Sequence, residues 1–412
     1  MNSTENPRLP VAALLALALA GFVTILTEAL PAGLLPLIST DLKVSEALAG
    51  QLVTVYAAGS LLAAIPLIAL TRRARRRPLL LTAIAGFLLA NTVTAWSASY
   101  GLTLAARFVA GMSAGLLWAL VAGYAVRMVA EHQKGRAIAI AMVGAPLAMA
   151  LGIPAGTALG NLVGWRMCFG LMSVLALALM VWVRLGVPDF PGQPAQRQRS
   201  LAQVFTTAGV RPVLFVVLGF VLAHNILYTY IAPYLAAAAM AERTDLVLLV
   251  FGATSLLGIW ITGVLIDRHL RTLALLSTLL FGAAALVLGV AGTVPVMVYV
   301  AVAAWGLAFG GAPTLLQTSL ANTAGDAADV AQSMLVTAWN LAIAGGGMLG
   351  GLLLERYGVV SFPPALLLLL SATLVVVWLS RQQGFPVIRP DTYDPVDLHS
   401  GDFAPGLSKS RD

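Results

Sequence analysis

The sequence predicts an all-α integral membrane protein: twelve transmembrane helices in two pseudo-symmetric six-helix halves. Three observations carry that prediction. The chain is 59% hydrophobic and only 10% charged, against about 25% charged residues in soluble domains. Its apolar residues fall into runs long enough to span a bilayer. Arginine and lysine gather in every second connection between those runs.

A spanning helix needs about 20 mostly apolar residues. Runs of that kind lie at 10–38, 46–71, 78–97, 101–126, 136–160, 165–186, 211–238, 246–267, 272–291, 294–320, 328–354 and 359–380. The first opens on Val11 to Gly21, which resembles the apolar core of a signal peptide. Its flank carries only Glu5 and Arg8, and the apolar run continues to Ile38, so it reads as a retained span. The second runs into Arg72, Arg73, Arg75, Arg76 and Arg77; the third and fourth follow, with Arg127, Lys134 and Arg136 after them. The fifth holds Gly144, Gly152, Gly156 and Gly160, and the sixth ends at Arg184. The longest connection, Pro188 to Val210, carries Arg197 and Arg199 and divides the chain. The eighth span runs into Asp267, Arg268 and Arg271, an echo of the second, and the glycines of the eleventh (Gly345, Gly346, Gly347, Gly350, Gly351) echo the fifth. Such repeats imply a site at the midplane between halves.

The division expected is a first half at 1–187, a cytoplasmic linker at 188–210, a second half at 211–381 and a disordered cytoplasmic tail at 382–412. Odd-numbered connections hold or border only Lys43, Arg166, Arg243 and Arg356, so the even connections and both termini are expected to be cytoplasmic.

Several functions are excluded. The net charge of +7 comes from short loops rather than one continuous basic face, so no nucleic-acid partner is expected. Cys168 is the only cysteine, and the four histidines show no ligand spacing; neither a disulfide nor a metal or cofactor site is predicted. The chain has no GxxxxGK loop and no HExxH, and no serine at a strand-to-helix elbow, since GMSAG (111–115) lies within an apolar run, so it reads as neither an ATP-driven pump nor an enzyme.

Two charges interrupt this pattern. Of seventeen acidic residues only Glu28 lies deep in an apolar run, and of twenty-four Lys and Arg only Arg107 is comparable. An ionisable residue at a helix centre costs about 2.5–3.5 kcal/mol on insertion scales and marks a functional site by default. Glu28 is expected about 15 Å, and Arg107 about 9 Å, from the same end of their spans. Arg107, Gly111, Gly115 and Trp118 share one face, on which the glycines read as packing.

Polar groups elsewhere in the spans are candidates for solute contact: His224, Asn225 and Tyr228 in the seventh, Gln317 in the tenth, and Gln332, Trp339 and Asn340 in the eleventh. His224 reads equally well as a hydrogen-bonded packing residue, and the amides as groups that join helices. Pro233 should bend the outer end of the seventh span, where Tyr230 and Tyr234 read as interfacial aromatics. Gly152, Pro154 and Gly156, with Gly144 and Pro146, should bend the fifth.

These residues resemble the major facilitator superfamily over roughly residues 10–381, and most of all its bacterial drug:proton antiporters of the arabinose-efflux-permease type. The resembling stretches are TEALPAGLLPLIS (27–39), LGIPAG (151–156) with GWRMCF (164–169), HNILYTYIAPYL (224–235), and GGAPTLLQTSL (310–320) through AWNLAIAGGG (338–347). Gly263, Asp267 and Arg268 resemble the superfamily's loop motif, and Arg107 with Gly111 its fourth-helix motif. The first-half loop lacks the usual Asp, with Arg72 or Arg73 near its place, and Pro154-Ala155-Gly156 replaces an adjacent Gly-Pro. The resemblance implies proton-coupling roles for Glu28 and Arg107. It implies a monomeric exporter of small organic solutes (drugs, sugars or related metabolites) that works by alternating access in a bacterial inner membrane, with protons, solute and lipid as partners. A sugar or nucleoside facilitator, and a membrane sensor that has lost transport, stay open.

Overall fold

The computed structural model describes residues 9–71, 73–130, 133–192 and 201–385. Among them are twelve helices long and apolar enough to cross a membrane. They are α1 (Val11–Leu42), α2 (Glu46–Thr71), α3 (Arg76–Trp96), α4 (Tyr100–Arg127), α5 (Arg136–Val163), α6 (Trp165–Gly186), α7 (Val210–Thr229), α8 (Ala241–Ile266), α9 (Arg268–Ala291), α10 (Pro295–Ala324), α11 (Ala328–Tyr357) and α12 (Phe362–Leu379). A short helix, Leu201–Phe205, precedes α7. Arg72, Arg197, Arg199 and the tail from residue 386 lie outside the described residues.

The helix ends follow local chemistry. α1 continues four residues past its predicted end and stops where Lys43 turns left-handed (φ 55°, ψ 46°) and its N–H bonds to the Ser39 carbonyl. α4 starts at Ser99, whose Oγ accepts from the Leu102 N–H at 3.4 Å. The connection expected between α8 and α9 is instead one non-helical residue, His269 (φ −129°, ψ 24°). No glycine or proline stands between Ile266 and Arg271, so the helix kinks there rather than ending in a loop.

Prolines and glycines break two helices where expected. α7 ends at Thr229 and resumes as Ile231–Ala237 after Tyr230 (φ −112°, ψ 27°), because Pro233 cannot donate to the Thr229 carbonyl. α5 contains a π-helical segment, Ala148–Gly152, just before Pro154. Its glycines let it ride on α1: a methyl group on Gly144 would strike the Ala18 carbonyl, one on Gly152 would sit 2.8 Å from Phe22, and one on Gly156 2.7 Å from Leu30.

Two buried clusters show how the halves meet. One is confined to the first half and runs through Leu17, Leu80, Phe87, Leu117, Val121 and Leu179 towards the arginine-rich end. The other is continuous across both halves and joins Leu30, Leu34, Ile38 and Leu52 to Tyr230, Leu235, Val247 and Phe251 at the arginine-poor end. The arginine-rich end is organised within each half. Arg75 Nε donates to Asp189 Oδ2 at 2.6 Å and the Arg77 N–H to Oδ1 at 3.0 Å, while Arg127 reaches the Pro191 carbonyl. Burial would raise the Asp189 carboxyl, but these donors and the two arginine charges hold it below its ordinary value. Across the molecule, Arg271 binds the Val377, Trp378 and Phe385 carbonyls.

Candidate functional site

Helix α1 supplies the centre of the first half. Glu28 stands fourteen residues before Leu42, about 21 Å from that end at helical rise and so deeper than the sequence suggested. Its side chain is half-buried, and no described hydrogen bond or ion pair engages its carboxylate. It lies within electrostatic range of Arg107, Tyr56 and, across the interface, Tyr228 of α7.

Arg107 is held differently. It is 1% exposed, and all its described hydrogen bonds go to backbone carbonyls. Nη1 donates to Thr27 O at 2.6 Å, Nη2 to Glu28 O at 3.2 Å and Nε to Leu52 O at 3.3 Å. Its guanidinium carbon lies 4.8 Å from the centre of the Tyr56 ring and 5.9 Å from that of Phe169. The shortest bond has a readable origin. Pro31 follows Thr27 by four residues and has no N–H, so the Thr27 carbonyl lacks its helical donor and is free for a guanidinium. Gly111, one turn along α4, brings that helix onto the α2 backbone, since a methyl there would overlap the Tyr56 carbonyl. Arg107 therefore clamps α1 and α2 to α4 beside Glu28 without neutralising the carboxylate directly.

The facing wall belongs to α7, α8 and α10. His224 stacks on Phe309 with ring centres 3.5 Å apart and planes 10° apart. Tyr228 lies 5.1 Å from it, Trp305 5.3 Å and Phe251 5.7 Å. Trp305 Nε1 donates to His224 Nδ1 at 3.2 Å. Trp339 of α11 extends the wall, 6.3 Å from Phe309.

The remaining predicted residues divide. Asn225 and Asn340 use their amide N–H groups within their own helices, on the Val221 and Val336 carbonyls. Gln332 reaches the Gln317 backbone carbonyl at 2.9 Å and so joins α11 to α10, while Gln317 itself is exposed. Gly263 and Arg268 are exposed, and a methyl on Gly263 would meet nothing within 4 Å. The Asp267 side chain lies outside the described residues.

Tyr230 corrects the sequence reading. It is fully buried rather than interfacial, and it bolts the halves together at the arginine-poor end. Its hydroxyl donates to Gly347 O at 2.7 Å, and Gln51 Nε2 donates to Gly347 O at 3.2 Å and to the Tyr230 oxygen at 3.3 Å. Gly50, Gly350 and Gly351 leave room for the ring, and Ser45 donates to Glu355 at 3.0 Å nearby. Four described hydrogen bonds cross between the halves at this end. Tyr234 is also buried, and donates to the Leu288 carbonyl. The sequence signal for the bolt is weak: small residues opposite a tyrosine, in helices nearly two hundred residues apart.

The family model described as Major Facilitator Superfamily matches residues 17–259. The probable sugar efflux transporter of Mannheimia succiniciproducens is 28% identical, over 83% of this chain and 87% of its own length. The transcription regulatory protein OpdE of Pseudomonas aeruginosa is 30% identical over 91% and 96%. The purine ribonucleoside efflux pump NepI of Salmonella enteritidis is 28% identical over 85% and 89%. Among solved structures, a D-xylose–proton symporter superposes with a TM-score of 0.75 at 16% identity, covering 92% of this chain and 98% of that one.

Proposed function

We propose that this chain, which belongs to the major facilitator superfamily, exports small organic solutes across a bacterial inner membrane in exchange for protons. The observation that carries the reading is Glu28: an embedded acid, unpaired by any described donor and within electrostatic range of Tyr228 in the other half. With the arginine-rich end and both termini in the cytoplasm, the bolt at Tyr230 closes the outer side, and the arrangement is an inward-facing one.

In this cycle solute enters from the cytoplasm and rests between Glu28 and the rings of α7 and α10. The bolt then parts, the halves rock, and Glu28 takes a proton from outside. Its protonation lowers the cost of enclosing it again and favours return; its deprotonation inside completes the exchange. The proton gradient drives the cycle, at about 2.3 kcal/mol per charge per 100 mV. Two of the relatives above are named for sugar and nucleoside efflux, which supports solutes of that size and polarity.

The test is solute-driven proton flux in proteoliposomes, with the wild type and Glu28→Gln side by side. We expect flux in the wild type and at least a tenfold loss of gradient-driven transport in the variant, with solute exchange retained. Full gradient-driven export by Glu28→Gln would sink the proposal.

A further inference from the structure

We propose that Trp305 is a positioning residue of the solute site, holding the His224 imidazole in the neutral form that offers an N–H to the solute. The inference rests on the transporter reading and adds to it the kind of atom that α7 recognises: a hydrogen-bond acceptor on a ring-shaped solute, such as a sugar oxygen or a heterocycle carbonyl.

The argument begins with what an indole can do. Its N–H only donates, so the 3.2 Å contact from Trp305 Nε1 to His224 Nδ1 requires Nδ1 to be the acceptor. A neutral imidazole that accepts at Nδ1 carries its proton on Nε2. Protonation at Nδ1 would set two N–H groups against each other. Trp305 thus opposes both the other tautomer and the imidazolium.

The ring is also fixed in place. His224 is 4% exposed and lies nearly flat on Phe309, with the Tyr228 and Phe251 rings also packed near it. Trp305 is fully buried, so it acts through His224 rather than on solute. Nε2 makes none of the described hydrogen bonds, and it is not among the side-chain atoms sealed from solvent without a partner. An N–H in an apolar wall needs an acceptor, and the solute can supply one. Glu28 of α1 lies within electrostatic range of Tyr228, the titratable neighbour of His224 on α7, and the described ring neighbours from α8, α10 and α11 are Phe251, Phe309, Trp305 and Trp339. The wall therefore offers a flat aromatic surface with the His224 Nε2–H held in a fixed orientation.

Nitrogen NMR of protein labelled with ¹⁵N-histidine tests the first link. The wild type should show His224 protonated at Nε2 alone, and Trp305→Phe should show Nδ1–H populated. Transport of labelled inosine and of labelled arabinose in vesicles tests the second. Trp305→Phe should raise KM about 3- to 10-fold, the loss of one hydrogen bond, with maximal rate and proton flux per solute within twofold of wild type. His224→Gln keeps an amide N–H near the Nε2 position, so adding Trp305→Phe to it should change KM less than twofold. An Nδ1-protonated or charged His224 in the wild type would overturn the proposal, whatever the variants do. So would an equal KM loss from Trp305→Phe on the Gln background, which would mark Trp305 as packing alone. If neither probe moves in wild-type vesicles, it is the transporter reading that fails for those solutes, while the NMR still decides the role of Trp305.

Discussion

Across the middle of the bundle, α1 and α4 present Glu28 and Arg107, whereas α7, α8 and α10 present His224, Tyr228, Phe251, Trp305 and Phe309. The first wall is ionisable and held by backbone carbonyls; the second is aromatic and held by stacking. The contrast suggests a division of labour, with the proton handled on one side and the solute on the other. Within the first wall there is a second contrast. Arg107 is engaged by three backbone carbonyls, whereas no described hydrogen bond or ion pair engages the Glu28 carboxylate. A group that must gain and lose a proton needs that freedom, and a permanent cation that braces three helices does not.

This comparison can be broken in order of expected effect. Arg107→Leu removes three charge-assisted hydrogen bonds and should cost at least about 3 kcal/mol. Thermal unfolding in detergent should show it, while Glu28→Gln leaves stability nearly unchanged. Equal losses from both would erase the distinction between brace and carrier. Trp339→Ala, on the aromatic side, should raise KM about fivefold, near 1 kcal/mol, and leave the protons moved per solute unaltered. A changed stoichiometry would merge the two walls into one. Tyr230→Phe keeps the ring but loses the hydroxyl's bonds, worth about 1 kcal/mol net. Spin labels at Lys43 and Arg356 should then report a population shift of about fivefold towards separated arginine-poor ends. The smallest effect is at the arginine-rich end. The Asp189 carboxyl is held down in the folded protein, so its contribution to stability is present above its unfolded value of about 3.9 and is lost as pH falls through the lower folded value. Melting temperatures of wild type and Asp189→Asn should converge below about pH 4, and the gap above it should be small because Arg75 is 70% exposed.

Much of this was legible in the chain. Hydropathy and loop charge lead to twelve spans, and Glu28 and Arg107 stand out because a charge is costly in lipid. The breaks in α5 and α7 follow from Pro154 and Pro233. Pro31 leaves the Thr27 carbonyl without a helical donor, but that Arg107 takes it is seen only in the fold. Partnerships across the fold were not legible. Nothing local ties Tyr230 to Gln51 and Gly347, and its place in an aromatic-rich outer segment favours the wrong reading, an anchor at the lipid surface. Trp305 escaped notice because its role depends on which ring nitrogen of His224 it meets. The amides show the same limit: Asn225, Gln332 and Asn340 each commit one amide N–H to a backbone carbonyl, a partnership no local pattern marks, and each keeps a second N–H and an acceptor oxygen.

The carbonyls that receive Arg107 also bear on how the chain is built. Thr27, Glu28 and Leu52 all precede Arg107 in synthesis. When α4 leaves the ribosome, the acceptors for its buried cation already exist in α1 and α2. An arginine in an isolated span raises the cost of insertion by about 2.5–3.5 kcal/mol, so α4 gains from entering the bilayer alongside those helices. The clamp that braces the first half should therefore favour insertion of α4 beside α1 and α2 rather than alone.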